Sequence, residues 1–504
     1  MSVRLHKVTL QIQNFGNIMR KILKNRKAFA GLVLLLFFAF LAILGPFFVT
    51  DDPIAEGSAS PGQMPVAARL CYPGWYQYVF GGNYTTNIYL TPDSQNAATD
   101  PGIYVLYNSS AGINGKGGLQ VTFTRAGTAT LAKAFAYPYQ VPPPKFAIEW
   151  NYRVETQDPQ TQEANLTVSF DFSYKIPGTD NTRVLPAASP LNVGVANSGW
   201  TKRPWDQSSS TSRALQVLYN GYDPASIIFS RPRTYTFDMV VQLSRNDTAH
   251  GGNVNAYGNT TLFLDNVEGV VFGNSFGLLG TDDLARDIFT QLVVGTRISF
   301  VIGIVSAVVS VGLGLIVGLA AGYIGGATDE LLMRINDMLL VIPGLPLTII
   351  LVFVLGQSMI NIIIVVGVLG WMGFARTVRS AVLTLKERSF IEAVKSAGGG
   401  RGYIIRKHIV PNVFPLIYIT LAMSVPSAIV TEAALSWLGL GPLDVMSWGR
   451  ILHQFEISGT VATNAFNSWY WAFPPGVCIA LLSLSFVLIG YALDEILNPR
   501  LRER

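Results

Sequence analysis

The sequence predicts a polytopic α-helical membrane protein carrying a large inserted all-β sandwich, on three observations. Half of its 504 residues are hydrophobic and only 13% are charged, about half the charge of a soluble domain, with a mean hydropathy of +0.36. Six apolar runs are long enough to cross about 30 Å of hydrocarbon. Between the first two runs lies a polar block, 51–280, rich in Asn, Thr, Tyr and Gly. Charge divides the same way: the block holds 14 Lys+Arg against 17 Asp+Glu, and the remainder 22 against 14. The basic surplus beside the spans reads as a topology signal, not a nucleic-acid patch. The apolar content excludes a disordered chain. With only Cys71 and Cys478, one in the polar block and one in an apolar run, a disulfide framework is excluded too, and the two are read as unpaired.

Residues 1–27 carry seven Lys+Arg and no acid, which places the N-terminus in the cytoplasm. The first span, Ala28–Val49, is long for a cleaved signal peptide, and no small-residue cleavage site follows it. Gly45-Pro46 and Asp51-Asp52-Pro53 suit a helix that ends and hands over to a linker. Further spans are expected at Ile298–Gly322, Met338–Gly356, Met359–Ala375, Asn412–Leu435 and Trp471–Gly490. Alternation then puts 50–297 and 436–470 outside, and 376–411 and the C-terminus inside. Segment 376–407 has eight Lys+Arg while 436–470 has Arg450 alone, as positive-inside topology requires. Pro343, Pro346, Pro415 and Pro426 fall in or near spans, where neighbouring groups can satisfy freed carbonyls. Gly314, Gly318 and Gly322 recur every four residues, a smooth face for close helix packing.

The insert, 54–272, reads as β. Leu166, Val168, Phe170, Phe172 and Tyr174 alternate strictly, as do Tyr235, Phe237, Met239, Val241 and Leu243, and a last strand is expected over Leu262–Val271. Period-2 runs separated by Gly, Pro and Asn turns argue for a sandwich. Leu264-Asp265-Asn266-Val267 resembles the last strand of carbohydrate-binding jelly rolls. Trp200 and Trp205, beside Lys202 and Arg203, are candidate sugar contacts or simple caps on the sandwich edge. Five N-x-[ST] sites, Asn83, Asn108, Asn165, Asn246 and Asn259, all lie in this block. They fit an external glycosylated domain of the kind that suits an archaeal cell surface.

Chemistry concentrates in the loop 386–411. Glu392-Ala393-Val394-Lys395-Ser396-Ala397-Gly398 is a basic, helix-prone piece, broken at Gly398-Gly399-Gly400. A second piece, ending Ile409-Val410-Pro411-Asn412, leads into the fifth span. Two short helices with a glycine turn could dock into a groove on a soluble partner or lie against lipid headgroups. Glu432 is an acid in an apolar run. A charge there is expensive, so it is a candidate pathway or external-gate residue. Thr281, Asp282 and Asp283 read as an N-cap and acidic first turn, followed by a surface helix through Leu284, Ile288 and Leu292.

Glu392-Ala393, Gly398 six residues after the Glu and Pro411 nineteen after it resemble the signature loop of ABC importer permeases. The text around it resembles the dipeptide/oligopeptide/nickel "C" branch: Ile405–Asn412, Gly280–Asp287, Asp329–Arg334, Glu432–Gly441 and Asn498–Arg502. The departures are Val394 for the usual second Ala, Ala285 for Gly, and Thr290-Gln291 for Ser-Arg. The resemblance spans 15–53 and 274–504. It implies a six-span permease fold, five of whose spans lie in a permease domain over 281–504, with Glu392, Ala393, Ala397, Gly398 and Pro411 coupling it to an ATPase. The implied partners are a homologous second permease, two ATPase subunits, an extracellular substrate-binding protein and membrane lipid. The implied cargo is a di- or oligopeptide; an oligosaccharide, with the insert aiding sugar capture, is the alternative. A membrane-anchored lectin-like surface protein is the rival from another class. No G-x-x-x-x-G-K-[ST] loop occurs, so the chain is expected to be a non-catalytic subunit. With four His and no ligand spacing, neither metal nor cofactor is expected on it.

Overall fold

The structure is a computed structural model and describes residues 25–49, 51–58, 64–80, 84–92, 94–113, 117–156, 164–193, 199–244, 259–460 and 468–497. Contacts divide the chain into two compact units, residues 1–54 with 288–504, and residues 55–287.

The first unit is helical. Helix α1 (Arg26–Leu44) is capped by Asn25, whose side chain accepts from the Lys27 and Ala28 amides and donates to Glu495 Oε2 at 2.9 Å. Such capping satisfies amides that have no partner within the helix. Then come α2 (Ile288–Ile324), α3 (Gly326–Val341), α4 (Gly344–Leu355), α5 (Met359–Leu369), α6 (Met372–Lys386), α7 (Ser389–Ser396), α8 (Val410–Leu435), α9 (Trp448–Ile457) and α10 (Trp469–Leu497). Among the described residues, five stretches are long and apolar enough to cross a membrane, six if α3 and α4 count as one broken span. Over the third expected span, Met338–Gly356, the chain bends by 92° between α3 and α4. Pro343 causes the bend. Its ring disfavours helical backbone in the residue before it, and Ile342 is extended (φ −72°, ψ 130°).

The glycine face has a specific partner. A Cβ on Gly314 would lie 2.9 Å from Trp371 O, one on Gly318 2.6 Å from Ala375 O, and one on Gly322 2.8 Å from Val382 Cβ. Gly312 faces open space. Helix α2 is therefore a rail along which α6 lies backbone to backbone. The packing continues past the end of α6: Phe374, Val378 and Val382 share one core with Ile391, Ile404, Ile409 and Val413.

The second unit is two antiparallel sheets. One runs β10 (Thr201–Arg203), β6 (Lys145–Thr156), β12 (Thr260–Phe272), β4 (Gly118–Phe123) and β3 (Ile103–Asn108), with β1 (Ile88–Leu90) also on β12. The other runs β2 (Ala97–Thr99), β5 (Gly127–Tyr137), β11 (Arg233–Ser244), β7 (Asn165–Lys175) and β8 (Thr182–Pro186), with β9 (Leu191–Asn192) on β7. Inward side chains of both sheets form one core. Trp150 meets Phe170 at 5.5 Å and Phe146 meets Phe172 at 5.2 Å, ring to ring across the sheets. The alternating residues of β7 and β11 point inward as their period requires. Strand β12 keeps Leu264 and Val267 both inward, three residues apart, because a bulge shifts its register between Asp265 and Glu268, with Asn266 at φ 48°.

Candidate functional site

The loop after α6 folds into a compact element. Helix α7 is amphipathic: Ile391 is buried and Val394 half-buried, while Glu392, Ala393, Lys395, Ser396 and Ala397 face outward. The helix ends in a glycine cap. Gly398 takes φ 82°, a conformation L side chains avoid, and its amide donates to Lys395 O at 3.0 Å. Gly399 is needed for another reason: a Cβ there would stand 2.6 Å from Val394 Cγ1. The chain then turns through Arg401–Ile404 and a π-helical turn, Ile405–Ile409, into α8. Pro411 is the second residue of α8, and its missing N–H falls just after the π-helical turn, where the regular α-helical ladder is already interrupted.

Glu392, Ala393, Ala397 and Gly398 thus share one exposed knob, and Pro411 stands at the exit. Sequence reading missed two members. Phe390 and Tyr403 are 42% and 56% exposed and lie 6.3 Å and 5.6 Å from the His408 ring. The available signal was two aromatics in an otherwise basic, polar loop. The knob is tied to the bundle. Lys386 Nζ donates to Tyr323 O at 3.0 Å, at the end of α2. Arg379 of α6 holds Asp329 of α3 through two bonds, Nη2 to Oδ2 at 2.6 Å. Arg376 of α6 pairs with Asp337 of α3.

At the other end of α8, Glu432 is 1% exposed. It does not reach water. Its Oε1 accepts from the hydroxyls of Ser436 and Ser447, each at 2.7 Å. Ser447 also caps α9, accepting from the Arg450 amide at 3.2 Å. The next residue, Trp448, donates its amide to Ser299 Oγ (3.2 Å) and its indole N–H to Leu292 O (3.0 Å), both on α2. Arg450 Nη1 closes the intervening loop onto Leu443 O and Val445 O. One carboxylate oxygen therefore clasps α8, the 436–447 loop and α9 together.

Residues 281–287 differ from expectation. Thr281 is not a helix cap: its hydroxyl donates to Ala68 O (2.7 Å) and accepts from the Cys71 amide (2.8 Å). Asp282 accepts from the amides of Leu284 and Arg286 and pairs with the Arg286 guanidinium at 2.7 Å, both side chains being buried. Arg286, four residues on, draws the carboxylate into a closed turn, so no surface helix forms through Leu284 and α2 starts only at Ile288. Ala285, at φ 61°, occupies the left-handed position of that turn.

In the second unit, Trp200 stands 5.5 Å from the Arg153 guanidinium and Trp205 4.9 Å from Lys145 Nζ, the cations over the rings. Both indoles flank β10 at the sheet edge. Asn108 is half-buried and bonded to Gln120 and Ser110; Asn165 is exposed and accepts from Asn192; Asn259 is half-buried. Asn83 and Asn246 lie outside the described residues. Cys71, whose thiol burial pushes up to about 11, and Cys478 are free thiols. Among the described residues no three His, Cys, Asp or Glu gather into a set that could hold a metal ion.

Two families match. One, "Binding-protein-dependent transport system inner membrane component", covers residues 314–503. The other, "N-terminal TM domain of oligopeptide transport permease C", covers 14–62. The oligopeptide transport system permease protein OppC of Bacillus subtilis (strain 168) is 41% identical over 226 residues, 44% of this chain and 72% of the relative. A structure of the MetNI methionine ABC transporter, inward facing, aligns with 42% of this chain and 95% of its own at 21% identity and a TM-score of 0.33. TmCBM61 in complex with β-1,4-galactotriose aligns with 40% and 97% at 10% identity and a TM-score of 0.19.

Proposed function

The chain belongs to the peptide-type permeases of binding-protein-dependent ABC importers, non-catalytic subunits of multi-pass membrane transporters, and on that premise we propose how it works. It carries di- or oligopeptides inward together with a second, homologous permease. Two ATPase subunits on the cytoplasmic side supply the energy, and a substrate-binding protein outside delivers the cargo. The chain itself holds no cofactor. Both termini are cytoplasmic, and residues 55–287 are extracellular, following the basic surplus of 1–27 and 376–407.

The observation that carries this reading is the α7 knob. A short amphipathic helix with its apolar side spent on the bundle core offers Glu392, Ala393, Ala397, Phe390 and Tyr403 to a groove. Its root is held to α2 and α6, so a pull on α7 moves α6 and α2 together as a rigid piece. ATP-driven closure of the ATPases would draw on this knob, and the two permeases rock between outward- and inward-open states. Glu432 fixes the outer end of the same helix α8 and so serves as part of the external gate.

The test is co-purification and uptake. Glu392→Arg and Gly398→Val should each strip the ATPase subunits from the purified complex and abolish uptake of a labelled dipeptide in proteoliposomes. Retention of both would overturn the coupling role. Intact coupling with uptake of a labelled trisaccharide in place of the dipeptide would overturn the peptide cargo alone.

A further inference from the structure

One surface of residues 55–287 carries a solvent problem that a soluble partner-free domain does not have. No Asp, Glu, Lys or Arg occurs from Cys71 to Pro92, nor from Gly269 to Thr281. The fold joins these two uncharged runs. The Gly74 amide donates to Gly277 O at 2.9 Å, and the Trp75 indole N–H to Leu278 O at 2.8 Å. Tyr76 anchors the joint: it is buried, stacks on Tyr72 at 5.1 Å, meets Phe80 at 4.3 Å and takes Tyr84 edge-on at 5.5 Å. With Tyr76 turned inward, its neighbours turn out. Tyr78, Val79, Phe80 and Leu278 are 83%, 64%, 56% and 60% exposed.

We propose that this Tyr78–Phe80 and Leu278 surface inserts into the headgroup region of the bilayer and anchors the β unit to lipid. Three observations favour lipid over a protein. Tyr and Trp flanking aliphatic tips is the composition that concentrates at bilayer interfaces, where an apolar body sits in the acyl boundary and a hydroxyl or N–H reaches the headgroups. The two runs carry no charge that would have to be desolvated on entry, and they offer no ion-pair handle to a protein. The chain also brings the surface within range: Leu278 lies ten residues before Ile288, where a membrane-crossing helix begins, and ten residues reach at most about 36 Å. The inference needs only that the chain crosses a membrane; it is independent of the coupling role and of the cargo.

The experiment uses the full chain in nanodiscs, labelled with an environment-sensitive fluorophore at Tyr78→Cys, with Lys133→Cys, exposed on β5, as the reference site. The unsubstituted chain, with Cys71 buried and Cys478 half-buried, gives the background. Lipids spin-labelled near the headgroup should quench position 78 several-fold more than position 133, and 0.5 M salt should leave the difference unchanged because no charge takes part. Val79→Cys and Leu278→Cys should behave like Tyr78→Cys, which also guards against one variant misfolding. Equal quenching at 78 and 133 overturns the proposal. So does a blue-shifted but unquenched label, which would mean that protein covers the surface, and so does quenching that salt removes.

Discussion

Gly318→Ala, set against Gly312→Ala on the same helix, tests the rail on which the mechanism turns. Both substitutions replace a glycine inside α2, and each should gain about 1 kcal/mol of helix propensity. They differ only in what the new methyl meets. At 312 it enters open space. At 318 it lands 2.6 Å from Ala375 O and 2.7 Å from Val378 Cβ, closer than ordinary contact by about 0.8 Å. The near atom is a backbone oxygen of α6, which no rotamer change can move. Forcing the helices apart costs about 1–3 kcal/mol. Gly312→Ala should therefore raise the unfolding midpoint of the detergent-purified chain slightly, and Gly318→Ala should lower it by the equivalent of up to about 2 kcal/mol after the propensity gain is subtracted. Scanning fluorimetry on the nine tryptophans reads both. In the assembled transporter Gly318→Ala should also weaken ATPase retention, because α6 carries α7. Equal shifts for the two variants would refute the reasoning, since then the contact across the helix face would not matter.

Glu432→Ala should destabilise the chain by about 2–4 kcal/mol, because it leaves the buried Ser436 and Ser447 hydroxyls without an acceptor and opens a cavity. Glu432→Gln keeps an oxygen and should cost less, and a double-mutant cycle with Ser447→Ala should show coupling. Ala285→Gly should stabilise by about 1 kcal/mol, since the left-handed backbone at φ 61° strains any Cβ; an unchanged or lower melting point counts against the turn. Asp171 and Asp238 face each other on adjacent strands, and burial followed by the Asp238 charge pushes the Asp171 carboxyl up to about 6. Its folded value lies above its unfolded one. The contribution is thus complete below the unfolded value near 4 and is lost as pH rises through about 6. Asp171→Asn should flatten stability between pH 4 and 6.5 and gain about 1–2 kcal/mol at pH 7.5, allowing for solvent screening of a half-exposed pair. A pH profile identical to that of the unsubstituted chain would sink it.

The sequence by itself determined where the chain is apolar, which strands alternate, and that the loop from Glu392 to Pro411 is a separate basic element. Those properties are local: hydrophobic period and charge are written residue by residue, so β7, β11 and the run of α8 were legible directly. Tertiary structure decided what depends on residues far apart or on a turn's exact closure. Asp282 looked like part of a helix's acidic first turn until Arg286 and the Leu284 amide were seen to share its carboxylate. Pro343 was legible as a proline in or near the third span, but only the structure gave the size of the bend beside it, 92°. The glycine repeat announced a smooth face, but only the packing showed that α6 occupies it. Glu432 announced an expensive charge, yet its two serines lie four and fifteen residues along the chain. A side chain's partner is chosen by the three-dimensional path of the backbone, and sequence spacing alone does not fix that path once a turn or a break intervenes.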